Sequence, residues 1–464
     1  MDSPAFLPVG RLSEEIAAGR LSPVEVVEDC IARTERLEPK LQAYVSFRPE
    51  RARMAAEAAD KAIRAGGRIG PLHGVPIAVK DLVEIEGEVA QGGCAAWSGR
   101  VATRTATLYR KLIAAGMIVL GKTHTVEFAY GAWGTNERLG TPWNPWDIAV
   151  HRAPGGSSSG SAVAVATRIA PCAIGTDTGG SVRIPAAWCG LTGLKTTVGR
   201  ISTYGVLPLS PTLDTPGPIT RTVEDAASLL CLLQGADPHD PRTRGLTDSE
   251  PWSHLRRGVA GLRLARLPDA ERAGVDAEML AAYDRSVDQL ARLGAEIVDI
   301  ALPGPLAEVA AANGRIISAE SYAALADLVN DPAQPLDEAV RRRVRAGAAI
   351  SSRAYLSDLA ERERAKALVS EAMRDIDALL TPTTETPPPA LGDINQAASP
   401  TRFTRWANFL DLCALSVPNG FTASGLPTSL QVTCKAYDEA LALRIGWAWQ
   451  AATDWHSRVP AMVA

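Results

Sequence analysis

Two serine- and glycine-rich segments lie close together in this chain: Gly155-Gly156-Ser157-Ser158-Ser159-Gly160-Ser161 and Gly175-Thr176-Asp177-Thr178-Gly179-Gly180-Ser181. Together they bring hydroxyls and unobstructed backbone N–H groups into one small region. Acyl transfer needs that combination, a nucleophile beside a surface that can bind an oxyanion. A serine hydroxyl is a weak nucleophile and requires a base within hydrogen-bond reach. The candidate base lies far upstream, at Lys80 in Gly74-Val75-Pro76-Ile77-Ala78-Val79-Lys80-Asp81. Lysine serves as a base only when neutral, and burial at the end of the apolar run Ile77-Ala78-Val79 lowers its pKa. One intervening hydroxyl can carry the proton to the lysine and later return it to the departing amine. Glycines at 179 and 180 leave N–H groups clear of side chains.

Two other readings of the first loop fail on chemistry. A phosphate-binding P-loop requires lysine after its second glycine, whereas Ser161 and Ala162 follow Gly160. Gly156-Ser157-Ser158-Ser159-Gly160 also fits a nucleophile elbow with Ser158 reactive, but that needs a strand before it and an Asp…His pair downstream. Val150-His151-Arg152-Ala153-Pro154 is a poor strand, and His239, His254 and His456 sit in unremarkable polar contexts. Taken singly, a lysine after an apolar strand is an ordinary surface residue, and glycine–serine clusters are ordinary loops.

With both serine segments and Lys80 in order, the sequence resembles the amidase signature family. The likeness covers Gly74–Asp81, Gly155–Ser161, Gly175–Pro185, Asp214-Thr215-Pro216-Gly217-Pro218 and Asp377-Ala378-Leu379-Leu380-Thr381-Pro382-Thr383. The resemblance implies Ser181 as the acylated nucleophile, Ser157 as a bridging serine on a cis peptide bond, and Lys80 as the terminal base. It implies an oxyanion hole from the N–H groups of Thr178, Gly179 and Gly180. Ser158 is expected to be a supporting hydrogen-bond partner. Asp177 and Arg183, which flank the nucleophile with opposite charges, are expected to form an ion pair that stiffens the loop. After Glu127-Phe128-Ala129 the resemblance places an acyl pocket, with Tyr130 and Trp133 as walls and Trp188 beside them. His124 is expected to be structural. Relatives that bind a malonamate carboxylate place arginine three residues after the nucleophile; Ile184 stands there, which argues against a small carboxylated substrate.

The elements that must position these groups can be read from the pattern. Ser22-Pro23-Val24-Glu25 starts a helix with a capping box, followed by the apolar stripe Val24, Val27, Ile31 and Leu37. Arg51–Arg64 is a second helix ended by Gly66-Gly67. Strands are predicted at Val75–Val79, Met117–Gly121, Ala170–Gly175, Ala295–Ile300, Ile376–Leu380 and Ser429–Thr433. Helices are predicted at Thr107–Ala115, Ser161–Arg168, Thr222–Leu233, Ala277–Leu293 and Asp438–Ala452. This alternation gives an α/β fold, a large mixed sheet covered by helices on both faces. The chain reads as one domain: a helical arm over 1–65, a catalytic core over 66–235, a substrate-shaping region over 236–375 and a closing sheet and helix over 376–464. The run Arg341-Arg342-Arg343-Val344-Arg345 reads as a solvated helix face.

Composition narrows the function classes. The 464 residues are 46% hydrophobic and 22% charged, with net charge −4, an ordinary globular profile. Interspersed charges favour neither nucleic acid nor a membrane surface. Met1-Asp2-Ser3-Pro4 lacks a signal-peptide pattern, and no apolar run approaches the roughly 20 residues needed to span a bilayer. Seven scattered cysteines read as buried reduced thiols, and six dispersed histidines show no metal-ligand spacing. The expectation is a cytoplasmic enzyme with no metal and no cofactor, a small-molecule amide as substrate, and a homodimer on base rate. The chain's length leaves no room for the extra C-terminal domain that allophanate hydrolases often carry. The leading function is amide hydrolysis through a Ser181 acyl-enzyme. The alternatives are the glutaminase component of a tRNA-dependent amidotransferase and a urea-amide hydrolase of allophanate or biuret type.

Overall fold

A computed structural model describes residues 3–463; Met1 and Asp2 of the N-terminal stretch lie outside it. Eleven strands form one sheet: β1 (Tyr44–Phe47), β2 (Pro76–Lys80), β3 (Ile118–Thr123), β4 (Ala173–Asp177), β5 (Thr192–Lys195), β6 (Thr215–Thr220), β7 (Arg263–Ala265), β8 (Glu296–Val298), β9 (Ala378–Pro382), β10 (Cys413–Phe421) and β11 (Pro427–Cys434). Their spatial order is β1-β3-β2-β4-β6-β5-β10-β11-β9-β7-β8. β3, β2 and β4 run parallel, while β6 pairs antiparallel with both β4 and β5.

The sheet divides two apolar cores through its period-two alternation. Ile77, Val79 and Ile174 face one core, whereas Ala78 and Ala173 face the other. Small residues on the second face let the wholly buried helix Ser159–Ala166 lie directly over β2, β3 and β4. A Cβ at Gly160 would sit on the Ala43 carbonyl oxygen and 2.5 Å from the His124 amide nitrogen. That glycine therefore sets how deeply the first serine loop enters the fold.

Several sequence expectations hold at residue level. Ser22 forms the capping box with Glu25, and Thr222 accepts from the Asp225 N–H as N-cap of Val223–Leu233. Others are corrected. The arm is not wholly helical, because β1 joins it to the sheet edge through β3. β5 and β10 were not foreseen, nor was β6, whose Thr-Pro-Gly-Pro-Ile-Thr sequence hides an interior strand. Its two prolines face β4 at Thr176 and Ile174, whereas pairing with β5 falls on Ile219 and Thr220.

The arginine run lies on the helix Glu338–Arg345, but it is no solvated face. Arg341 is buried and donates to the carbonyls of Val329, Asp331 and Gln334, capping the end of the long helix Leu306–Asn330. Arg343 turns inward to the Tyr130 carbonyl at 2.8 Å. Six cysteines are buried, but Cys231 is exposed, on the outward side of its helix. Among the described residues, no helix is long and apolar enough to cross a membrane.

Gly160→Ala is expected to destabilise the fold by about 1–3 kcal/mol, the usual cost of forcing a methyl group into a packed site. Urea denaturation of the variant would measure it, and unchanged stability would mean the helix can move away.

Candidate active site

The parallel strands β2 and β4 pair Val79 with Ile174, so Lys80 ends level with the Gly175-Thr176 end of β4. Carboxyl ends of parallel strands are the usual ligand edge of such sheets. Lys80 is fully buried, and its Nζ donates to Ser157 Oγ at 2.8 Å and to Thr176 Oγ1 at 2.8 Å. Two other lysines are equally buried but end elsewhere. Lys122 meets Asp81 and the Val89 carbonyl; Lys195 meets the carbonyls of Thr196 and Leu412. Lys80 alone of the three ends on hydroxyls. Burial lowers its pKa to about 7, against the opposing pull of Asp214 and Asp177.

The first serine loop is anchored through its backbone. The Gly156–Ser157 peptide is cis, and the Ser157 carbonyl accepts from Val126 N–H at 3.2 Å and Thr125 Oγ1 at 3.0 Å. Ser158 ties this loop to the second: its N–H donates to the Ser181 carbonyl at 3.2 Å, and its hydroxyl lies 3.3 Å from both Thr176 N and Thr176 O. Ser181 lines the main cavity with only 8% of its surface exposed. Among the described residues its hydroxyl makes no hydrogen bond, so the structure joins Lys80 to Ser157 but does not close the Ser157–Ser181 link. Catalytic hydrogen bonds often tighten only once substrate is bound.

Asp177 and Arg183 form a fully buried two-point ion pair, with contacts of 3.0 and 2.9 Å. Burial pushes the Asp177 carboxyl up, but Arg183, with Lys195 and Asn408, overrides this and holds it well below the usual carboxylate range. Arg183 also donates to Gln431 Oε1 at 2.8 Å and Asn408 Oδ1 at 2.7 Å. Asp177 accepts from the N–H groups of Gly180 at 2.7 Å and Val182 at 3.1 Å.

The Gly180 contact takes up one of the three N–H groups expected for an oxyanion hole. The peptide between Gly179 and Gly180 is fully occupied, with its carbonyl accepting from Thr404 Oγ1 at 2.7 Å and its N–H held by Asp177. Gly180 is therefore not a free donor. The N–H groups of Thr178, Gly179 and Ser181 have no protein acceptor among the described residues, and these three residues line the cavity.

The sequence profile of the Amidase family matches residues 25–443. The chain belongs to the Amidase family. It is 34% identical over 481 residues to the A-type component of the glutamyl-tRNA(Gln) amidotransferase of Geobacter metallireducens, covering 97% of this chain and 98% of that one. It is 37% identical over 441 residues to 2-amino-5-chloromuconic acid deaminase of Comamonas testosteroni, covering 92% of each. A bacterial aryl acylamidase of the amidase signature family superposes with a TM-score of 0.88 at 26% identity, covering 98% of both chains. As a member of this family the protein is an amide-hydrolysing enzyme.

The amidase cavity measures about 660 Å³ and is lined by Tyr130 and Trp133 as expected of pocket walls. Trp188 does not reach it. It is fully buried and stacks behind Trp133 with ring centroids 5.8 Å apart, its indole N–H donating to the Thr386 carbonyl at 3.0 Å. His124 is buried, and burial lowers its pKa to about 4, so its neutral ring serves packing. Residues that the sequence did not single out are Thr176, Thr404, Asn408 and Gln431. Thr176 sits inside the second motif, but nothing in the local sequence marks the other three.

Two outcomes follow for this amidase. Arg183→Met is expected to cost roughly 3–5 kcal/mol in denaturant unfolding, because it strands the buried Asp177 charge; a near-neutral variant would remove the pair from its scaffold role. Lys80 carries a proton below about 7 and is neutral above it. kcat/KM on an amide is therefore expected to climb with pH and level off above that value, measured from roughly pH 5 to pH 9. A profile that is flat throughout, or that falls with rising pH, would contradict Lys80 as the base.

Proposed function

We propose that this amidase cleaves a carboxamide through an acyl-enzyme on Ser181, with Ser157 as proton relay and Lys80 as terminal base. The observation that carries the reading is the 2.8 Å contact from a buried, carboxylate-free Lys80 Nζ to Ser157 Oγ. Ser181 Oγ attacks the carbonyl carbon as its proton passes through Ser157 to neutral Lys80. The carbonyl oxygen becomes negative beside the N–H groups of Gly179 and Ser181, with Thr178 flanking them. The proton returns through Ser157 to the nitrogen, the C–N bond breaks, and ammonia or an amine departs. Water then cleaves the ester by the same relay and regenerates Ser181.

The second reading is the glutaminase component of a tRNA-dependent amidotransferase, favoured by the full-length likeness to the Geobacter protein. It uses the same serines but delivers ammonia to a partner. We further propose a cytoplasmic, cofactor-independent enzyme that forms a homodimer. Support for the compartment comes from cysteines that are all unpaired among the described residues. Six of them are buried thiols.

Incubation with a fluorophosphonate, followed by intact mass and peptide mapping, should give one adduct on Ser181 and none in Ser181→Ala. Ser157→Ala and Lys80→Ala should each lower amide turnover by about 10²–10⁴-fold, the usual worth of a positioned proton-transfer group. An unlabelled Ser181 together with full turnover in Lys80→Ala would sink the mechanism. Purification of the chain alone separates the two functions: amide hydrolysis without glutamine preference supports the hydrolase, whereas co-purification with a tRNA-binding partner supports the amidotransferase component.

A further inference from the structure

We propose that the cavity is a carboxylate-recognition pocket built on Arg405 and Arg343, and that the substrate is the monoamide of a dicarboxylic acid. This rests on Ser181 being the acylated residue. Among the described residues four arginines line the cavity, Arg315, Arg342, Arg343 and Arg405, and no Asp or Glu does. Arg315 is already neutralised by Asp358 at 2.6 Å. The other three have no carboxylate partner among the described residues. Arg343 is held only by neutral acceptors, the Tyr130 carbonyl at 2.8 Å, the Gln396 carbonyl at 3.2 Å and Gln396 Oε1 at 2.5 Å. Arg405 donates to the Ala310 carbonyl at 3.2 Å, and its buried Nε has no partner.

Arg405 also lies next to the reacting centre. Its Cγ and Nε are 3.2 and 3.3 Å from where a Cβ on Gly179 would stand. Asn313 Oδ1 is 3.6 Å from the same point, and Asn313 is fully buried with neither side-chain amide atom partnered. Buried polar groups without partners are few in a folded protein and call for an explanation. A carboxylate beside Arg405 would give its Nε–H an acceptor and offset the charge of the arginines; Asn313 could offer it only its Nδ2–H, since Oδ1 is itself an acceptor.

The charge balance also selects among amides. A neutral amide leaves the guanidinium groups uncompensated. Glutamine brings a carboxylate, but its ammonium would meet arginines and no acidic side chain. A monoamide with a distal carboxylate meets neither penalty, with its carboxamide at Ser181 and its anion at Arg405 and Arg343. Hydrolysis consumes one water and releases the dicarboxylate and ammonia. Ile184 in the position three after the nucleophile argued against a carboxylated substrate in the sequence, but the structure supplies arginines from two distant helices instead.

The test compares kcat/KM for succinamate and glutaramate with the neutral butyramide and valeramide and the zwitterionic asparagine and glutamine. The anionic amides should lead their neutral counterparts by about tenfold or more, and glutamine should fall below glutaramate. That ratio should collapse by about tenfold or more in Arg405→Gln and in Arg343→Gln, mainly through KM. A second measurement, calorimetric titration with glutarate, should detect binding to Ser181→Ala and at least about tenfold weaker binding when Arg405→Gln is added. Equal or better turnover of the neutral amides, or glutarate affinity unchanged by Arg405→Gln, would overturn the proposal. If fluorophosphonate labels Ser181 but the anion preference is missing, only the carboxylate pocket falls. If Ser181 is not labelled, the acyl-enzyme reading falls and takes the pocket assignment with it.

Discussion

The site depends on the exclusion of one ammonium group from water without giving it a carboxylate. Lys80 stands at the end of a strand in the sheet interior, with hydroxyls of Ser157 and Thr176 as its only hydrogen-bond partners among the described residues. Removing an ammonium from water costs several kcal/mol unless a counter-charge compensates. Here the nearest compensation is indirect, from Asp214 and Asp177, and burial dominates, so the neutral amine becomes accessible near pH 7. A carboxylate in direct contact would stabilise the ammonium and leave less of the neutral amine to act as a base. Lys122 has such a contact, with Asp81 at 3.1 Å; Lys80 has none among the described residues.

Asp214 shows how closely this balance is set. Burial raises its pKa to about 6, while the Thr178 hydroxyl and the N–H groups of Leu209 and Ser210 act in the opposite direction. Through Thr178 it touches the second serine loop, and through space it acts on Lys80. The same loop is held from its other side by Asp177 and Arg183, whose remaining hydrogen bonds reach Asn408 and Gln431. A fully satisfied buried network of this kind rigidifies what it touches. It leaves Gly179 and Ser181 N–H free while fixing Gly180, which gives the loop one oriented donor surface.

The candidate groups of the site were legible because they cluster in three short motifs. The small-residue helix, the capped helices and β2 were legible for the same reason, since their signals are local. β6 was hidden by Pro216 and Pro218, which signal a loop unless the prolines fall where no pairing is needed. The arginine run misled because helical charge reads as solvated, whereas Arg341 caps a neighbouring helix and Arg343 reaches a loop some two hundred positions away. Trp188 was expected beside the pocket walls because a large aromatic is visible in the sequence, whereas the placing of the Trp133 ring in front of it is not.

The sequence by itself determined which groups are candidates for the chemistry: a lysine after an apolar strand, two serines in glycine-rich loops, and an ion pair flanking one of them. Those identities follow from residue type and spacing. Tertiary structure decided three things that spacing does not carry. It set Lys80 against two hydroxyls, whereas the equally buried Lys122 meets a carboxylate and Lys195 meets backbone carbonyls. It assigned the Gly180 N–H to Asp177 and not to an oxyanion. And it gathered arginines from two separate helices into one cavity, because charges distant in sequence share a field only once the chain has packed.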